Sequence, residues 1–184
     1  MTENASSQNP QDLSNLDYWS FVELTGKRIV EELDVKDAMA SKVIITLTRA
    51  ANLVVYDLES SVHRPRGVSW SAFRLLFVVW LAGPIEPGKA AKLAGMSRAA
   101  VSSLTTTLIA RGMLQKSASG TDGRTIMLEL THQGRDYARS AFQDQNEQEA
   151  RWASALTDVE QQLLIMLLQK LMSHRQEVGG RVRE

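Results

Sequence analysis

The 184-residue chain contains no cysteine, which removes disulfides, thiolate metal sites and thiol-based redox sensing from its possible functions. Its three histidines, His63, His132 and His174, fall on separate predicted elements without an i,i+4 partner, so no metal-ligand spacing is present. There is no glycine-rich phosphate loop, no Gly-x-Ser-x-Gly elbow and no pair of carboxylates in a catalytic context. The sequence points away from an enzyme and implies neither a metal nor a cofactor. No unbroken apolar run approaches the roughly 18 residues of a membrane span, since residues 75–82 form only a short stretch suited to a buried helix. A membrane partner is therefore not expected. Residues 1–12 are polar and lack a basic-then-apolar signal pattern, so they read as a disordered tail on a cytoplasmic protein.

The chain also has no net charge, and that balance hides an asymmetry. Residues 64–135 hold ten lysines and arginines against three acidic residues, a net +7 that leaves −7 for the remainder. A basic middle between acidic ends suits a nucleic-acid face on an otherwise neutral protein. At this length, with 43% hydrophobic residues, the chain fits one globular unit or a small domain plus an oligomerisation element.

What is present is concentrated in residues 87–130. Small Ala91, then Gly95 four residues later, then Val101 and Leu104 fit two short helices crossing steeply through a tight turn, the helix-turn-helix pattern. Ala91 must be small because the second helix passes over it, and Gly95 can take the left-handed backbone of the turn. Ser97 stands where the second helix needs an N-cap. That helix should run to about Arg111 and stop at Gly112. Residues 113–118, a Gly-rich loop and residues 125–130 then form a hairpin with a long tip, with Ile126, Leu128 and Leu130 on one face by period-two alternation. A helix-turn-helix followed at once by such a wing, with Arg124 at its tip, is a strong signature.

The flanks are helical. Residues 13–35 make one amphipathic helix or two short ones. Residues 37–63 make a longer helix whose apolar stripe is wide enough to ask for a second subunit. Arg64-Pro-Arg-Gly67 breaks it, Ser69 caps the next helix, and Gly83-Pro84 ends that one. Beyond the wing, Thr131 opens a long polar helix, and Thr157-Asp-Val-Glu160 is a capping box before the apolar residues 163–171. The expected fold is thus mainly α with a small β-wing. A winged helix-turn-helix lobe, residues 64–130, lies between dimerisation helices at 13–63 and 131–178, with tails at 1–12 and 179–184.

The residues Gly67-Val68-Ser69, Phe73, Leu76, Ala91, Met96-Ser97-Arg98, Val101, Leu104, Leu108, Arg111-Gly112-Met113-Leu114, Asp122-Gly123-Arg124, Leu130-Thr131 and Gly134 resemble the multiple antibiotic resistance regulator (MarR) family over roughly residues 37–174. Residues 1–36 lie outside that core. The resemblance implies a homodimer with intertwined terminal helices, two winged lobes on a pseudo-palindromic operator, and transcriptional repression relieved by a small molecule. Ser103, Thr107 and Gly123 stand where members often carry further basic residues.

With Val101, Leu104 and Leu108 turned inward, the 100° step of a helix brings Ala99, Ser102, Ser103 and Thr106 to the opposite face, with Arg98 at its edge. On double-stranded DNA, the hydroxyls suit several base edges and Ala99 a thymine methyl. Arg98 is the group able to grip guanine with two hydrogen bonds, worth roughly 1–3 kcal/mol. Arg124 reaches a narrow minor groove, with Asp122 placed to hold its guanidinium, and Lys116 meets phosphate. In the family the effector usually sits between dimerisation helices and winged lobe, which implies a site near Tyr56, His63, Trp70, Phe73 and Arg74. Aromatic rings beside a cation suit an aromatic carboxylate or a phenol. The competing class is a winged-helix module that binds protein or RNA without sensing a ligand. A protein-binding lobe would carry an apolar patch where this one carries hydroxyls.

Overall fold

The computed structural model describes residues 17–33, 37–119 and 125–180. The tail expected at 1–12 and the tip of the wing, with Asp122 and Arg124, lie outside the described residues. The chain divides into two compact units, residues 1–53 and 54–184.

In the first unit, helix α1 (Tyr18–Glu32) starts where the Asp17 carboxylate accepts the Ser20 amide at 2.8 Å. It buries Val22, and the Arg49 guanidinium lies 5.6 Å from the centre of the Phe21 ring. Helix α2 (Ala38–Leu58), whose last turn already belongs to the second unit, begins with Asp37 accepting the Ala40 amide at 2.9 Å. It continues through a π-turn (Glu59–His63) and a 3-10 turn (Arg64–Arg66). That helical stretch, Ala38–Arg66, is long and apolar enough by length and composition to cross a membrane. The sequence expectation was otherwise because it counted unbroken apolar residues, and serines, threonines and a few charges interrupt this stretch.

In the second unit, α3 (Trp70–Ala82) is the centre of the core, burying Ala72, Phe73, Leu75, Leu76 and Val79. The Ser69 hydroxyl accepts the Ala72 amide at 3.2 Å and so caps it. Helix α4 (Pro87–Ala94) opens with proline at its first position, where no amide partner is lost. It closes at Gly95, whose φ of +62° is the left-handed turn conformation expected from the sequence. Ser97 then caps α5 (Arg98–Ala110) by accepting the Ala100 amide at 3.1 Å. The inward face of α5 is Val101, Thr105 and Leu108, with Leu104 only half-buried. Thr105 therefore belongs to a face that the sequence reading assigned to aliphatics alone.

Strands β1 (Leu114–Ser119) and β2 (Thr125–Leu130) pair antiparallel from Leu114 opposite Leu130 to Ser119 opposite Thr125. Leu128 and Leu130 are buried, but Ile126 is 51% exposed because the outer rungs of the hairpin extend beyond the core. At the inner rungs Ile85 joins the sheet, exchanging two backbone hydrogen bonds with Leu128 at 2.8 and 3.0 Å. Helix α6 (His132–Ala153) is capped by Thr131 and contributes Ala138 and Ala141 to the same core. Its Phe142 stacks on Phe77 of α3 at 5.0 Å. Thr157 and Glu160 form the complete capping box of α7 (Asp158–Ser173), a helix with no buried residue. The fold is a mainly helical winged helix with a two-stranded wing.

Candidate nucleic-acid interface

The core residues of α5 leave its other side to solvent. Arg98, Ala99, Ser102, Ser103 and Thr106 are all exposed and share that side, and Ser97 is half-buried at its start with its oxygen engaged in the cap. The Thr106 hydroxyl donates to the Ser102 carbonyl at 3.2 Å, and Thr107 to the Ser103 carbonyl at 3.2 Å. With the proton turned back onto the helix, the threonine oxygen facing outward is an acceptor, which suits the amino group of adenine or cytosine. Ala99 offers a methyl and Arg98 a guanidinium one residue apart. Lys116 is exposed on β1. Arg111 was expected only as the last basic residue of the helix. Here it also donates to the Gly67 carbonyl at 2.5 Å, tying the end of α5 to the turn before α3.

The five residues expected around an effector are placed differently from one another. His63, Trp70 and Phe73 form one group of rings, with His63 stacked 4.3 Å from Phe73 and 5.5 Å from Trp70. His63 is 0% exposed and Phe73 is equally a core residue, whereas Tyr56 is 66% exposed. Gln145 donates its amide to Glu149 at 2.6 Å, so its oxygen is the atom that meets His63 Nε2 at 2.9 Å. Nε2 therefore carries the proton, and Nδ1 has no hydrogen-bond partner among the described residues. Burial holds the His63 pKa below its usual 6.5, the Gln145 bond opposing and the Arg66 charge reinforcing that effect.

Around this histidine, α6 is fastened to the chain before α3 by further polar contacts. Asp57 accepts from Trp152 Nε1 at 2.8 Å and Gln148 at 2.6 Å, and those bonds, with one from Ser61, lower its pKa. Arg66 reaches Ser140 at 3.1 Å and pairs with Asp144. Apart from Ser61, none of these partners is near its mate in sequence, so no local signal announced them.

Arg74 departs from the ring group and donates through Nη2 to the Ala94 carbonyl at the end of α4. It stands in a groove of about 420 Å³ between α3 and α4, otherwise lined by Phe77, Val78, Leu81, Ala82, Leu93 and Ala94. Leu81 and Leu93 are 65% and 66% exposed, an apolar trough with one cation. The sequence reading named Arg74 without the trough, because Leu81 and Leu93 sit on different helices. Their exposure becomes visible only once α4 is laid across α3.

Residues 66–125 match the MarR family. The chain is 28% identical over 142 residues to YwaE of Bacillus subtilis, an uncharacterised HTH-type transcriptional regulator, covering 77% of this chain and 81% of that one. A MarR/EmrR family transcriptional regulator from Acinetobacter sp. ADP1 is similar in structure, with a TM-score of 0.68 at 20% identity, over 76% of this chain and 98% of its own. BpsR of Bordetella bronchiseptica, whose DNA binding is regulated by 6-hydroxynicotinic acid, gives a TM-score of 0.66 at 20% identity, over 73% of this chain and 95% of its own. At such identities the two structures speak for the fold alone.

Proposed function

We propose that this chain is a transcriptional regulator of the MarR family, not an enzyme, and that it binds a pseudo-palindromic operator as a homodimer and releases it when a small aromatic acid binds. The observation that carries the DNA-reading part is the exposed row Arg98, Ala99, Ser102, Ser103 and Thr106 on α5 of a winged helix. Arg98 reads guanine, Ala99 a thymine methyl, and the hydroxyls read amino groups. Lys116 meets phosphate. Arg124, which the sequence puts at the tip of the wing, enters the minor groove. The hydroxyl-lined surface of α5 speaks against the protein-binding alternative.

Support for the homodimer comes from α7. Leu163, Leu164, Ile165, Met166, Leu167 and Leu171 are all exposed on one helix, and an apolar surface of that kind needs a cover. In this reading residues 64–130 hold the operator, 13–63 and 131–178 join the copies, and the protein works in the cytoplasm as a repressor.

For the effector, the trough beside Arg74 is the favoured place, and its volume lies within the range of small-molecule pockets. A ring would lie on Phe77, Val78, Leu81 and Leu93 with its carboxylate at Arg74. This narrows the expected set, because His63 and Phe73 are used in packing. That BpsR responds to an aromatic acid agrees with this chemistry.

Selection of bound sequences from random duplex DNA tests the reading. An inverted repeat with half-sites about one helical turn apart is expected. Arg98→Ala should then relax the preference at one position of each half-site by roughly 1–3 kcal/mol. Recovery of no sequence above competitor DNA would end the proposal.

A further inference from the structure

We propose that His63 is a positioning residue whose ring latches α6 to the winged lobe, and that a proton on its Nδ1 opens the latch, so that the operator is released in mild acid. The inference rests on the operator reading given above and adds a second signal to which that operator complex responds.

His63 stands where the chain passes from α2 into the lobe, at the end of the π-turn Glu59–His63. Its ring lies between two elements. Helix α3 supplies Phe73, stacked at 4.3 Å, and Trp70 at 5.5 Å, and α6 supplies the Gln145 oxygen at 2.9 Å from Nε2. The charged groups that face the ring are Glu59 from the π-turn, Arg66 from the 3-10 turn and Glu149 from α6. Each has a partner elsewhere: Glu59 lies 4.0 Å from Arg64, Arg66 pairs with Asp144, and Glu149 accepts the Gln145 amide at 2.6 Å. His63 is fully buried, and its Nδ1 has no hydrogen-bond partner among the described residues. In the neutral ring this leaves one lone pair unmet. In the cation it would leave a charged donor unmet, which an apolar enclosure tolerates far less.

The closed latch therefore holds the neutral ring alone, whereas an open one, with Nδ1 in water, takes either form, and acid draws the ring out. The π-turn provides the way. The Arg64 amide there bonds the Glu59 carbonyl, five residues back. Re-pairing it with the Ser60 carbonyl restores the four-residue step of α2 and turns His63 about the helix axis. Helix α6 then loses its tie through Gln145, while the stack of Phe142 on Phe77 at 5.0 Å keeps it on α3. The lobe stays folded but no longer at a fixed angle to α6, and two lobes that must meet half-sites at a set spacing lose that spacing.

Fluorescence anisotropy of the full chain on its selected operator, from pH 8 to 5.5, tests this. Affinity should hold above the ordinary imidazole value of 6.5 and fall about tenfold by pH 5.5, the limit for one coupled proton over one pH unit. Helix content by circular dichroism should not change over that range. His63→Phe, which keeps a ring against Phe73, should bind equally at both ends of it. His132→Gln with His174→Gln, both at exposed positions, should keep the fall. NMR of the wild-type imidazoles gives an independent reading, since His63 should take its second proton where affinity falls. Should His63→Phe not fold, that measurement decides alone. Affinity that is the same at pH 7.5 and 5.5, a fall shared by His63→Phe, or a ring that stays neutral through the fall overturns the latch and leaves the operator reading standing. A fall that comes only with loss of helix does the same. No operator binding at any pH overturns both.

Discussion

His63 illustrates how one side chain sets a condition on the whole fold. Its ring is enclosed by Trp70, Phe73 and Gln145, and the charged groups around it are Glu59, Arg66 and Glu149. A second proton would go to Nδ1, where it would find no acceptor among the described residues. The folded pKa lies below the unfolded value of 6.5, so between those two values the unfolded chain binds more protons and stability rises with pH. Stability from this source is complete above pH 6.5 and is lost as pH falls through the folded pKa. Thermal melting from pH 5 to 8 should show that slope, and His63→Phe should flatten it. An unchanged slope would mean that the ring does not titrate on unfolding. In the sequence, His63 is a histidine beside Arg64 at a helix end, and nothing local reveals that a glutamine 82 positions later closes over it.

At the scale of elements, whatever is decided by neighbours along the chain was legible. Ser69, Ser97, Thr131 and Thr157 each cap the helix that follows them, and Gly67, Gly95 and Gly112 each take the positive φ that ends one. What depends on a distant approach was not. The strand pattern could not foretell that Ile126 overhangs the core, nor the helical period that Thr105 lies under α5. Gly134, in the first turn of α6, shows the same limit. A Cβ there would stand 1.9 Å from the Met113 carbonyl oxygen, which is backbone and cannot swing away. Alanine gains about 1 kcal/mol in helix propensity over glycine, but forced overpacking costs about 1–3 kcal/mol, and a collision with backbone belongs at the upper end. Gly134→Ala should therefore lower stability to urea by about 1–2 kcal/mol net. A rise in stability would mean that α6 can lift from the sheet without loss.

At the scale of the molecule, the basic middle and acidic ends read from composition correspond to a winged lobe between helical flanks. The partner of those flanks is another matter. A sequence shows that residues 163–171 are apolar but not whether the rest of the chain covers them, and among the described residues nothing buries α7, where only Gln161 and Leu168 are half-buried. If a second copy supplies the cover, Leu164→Glu with Leu167→Glu should give a monomer by sedimentation. The core of the winged lobe should be left intact, and operator affinity should fall because each lobe then binds its half-site alone. The wild type should melt at a temperature that rises with protein concentration. Dimers persisting in the double variant would place the contact elsewhere.

The bridge between Ile85 and Leu128 has a geometric corollary. Because the segment leading into the first helix of the turn is stitched to the wing's inner strand, the lobe holds its two prongs at an unvarying spread, like a caliper set to one thread pitch. Duplexes whose pitch differs, such as an A-form hybrid or DNA unwound by an intercalator, would then be refused even when every contacting side chain is intact.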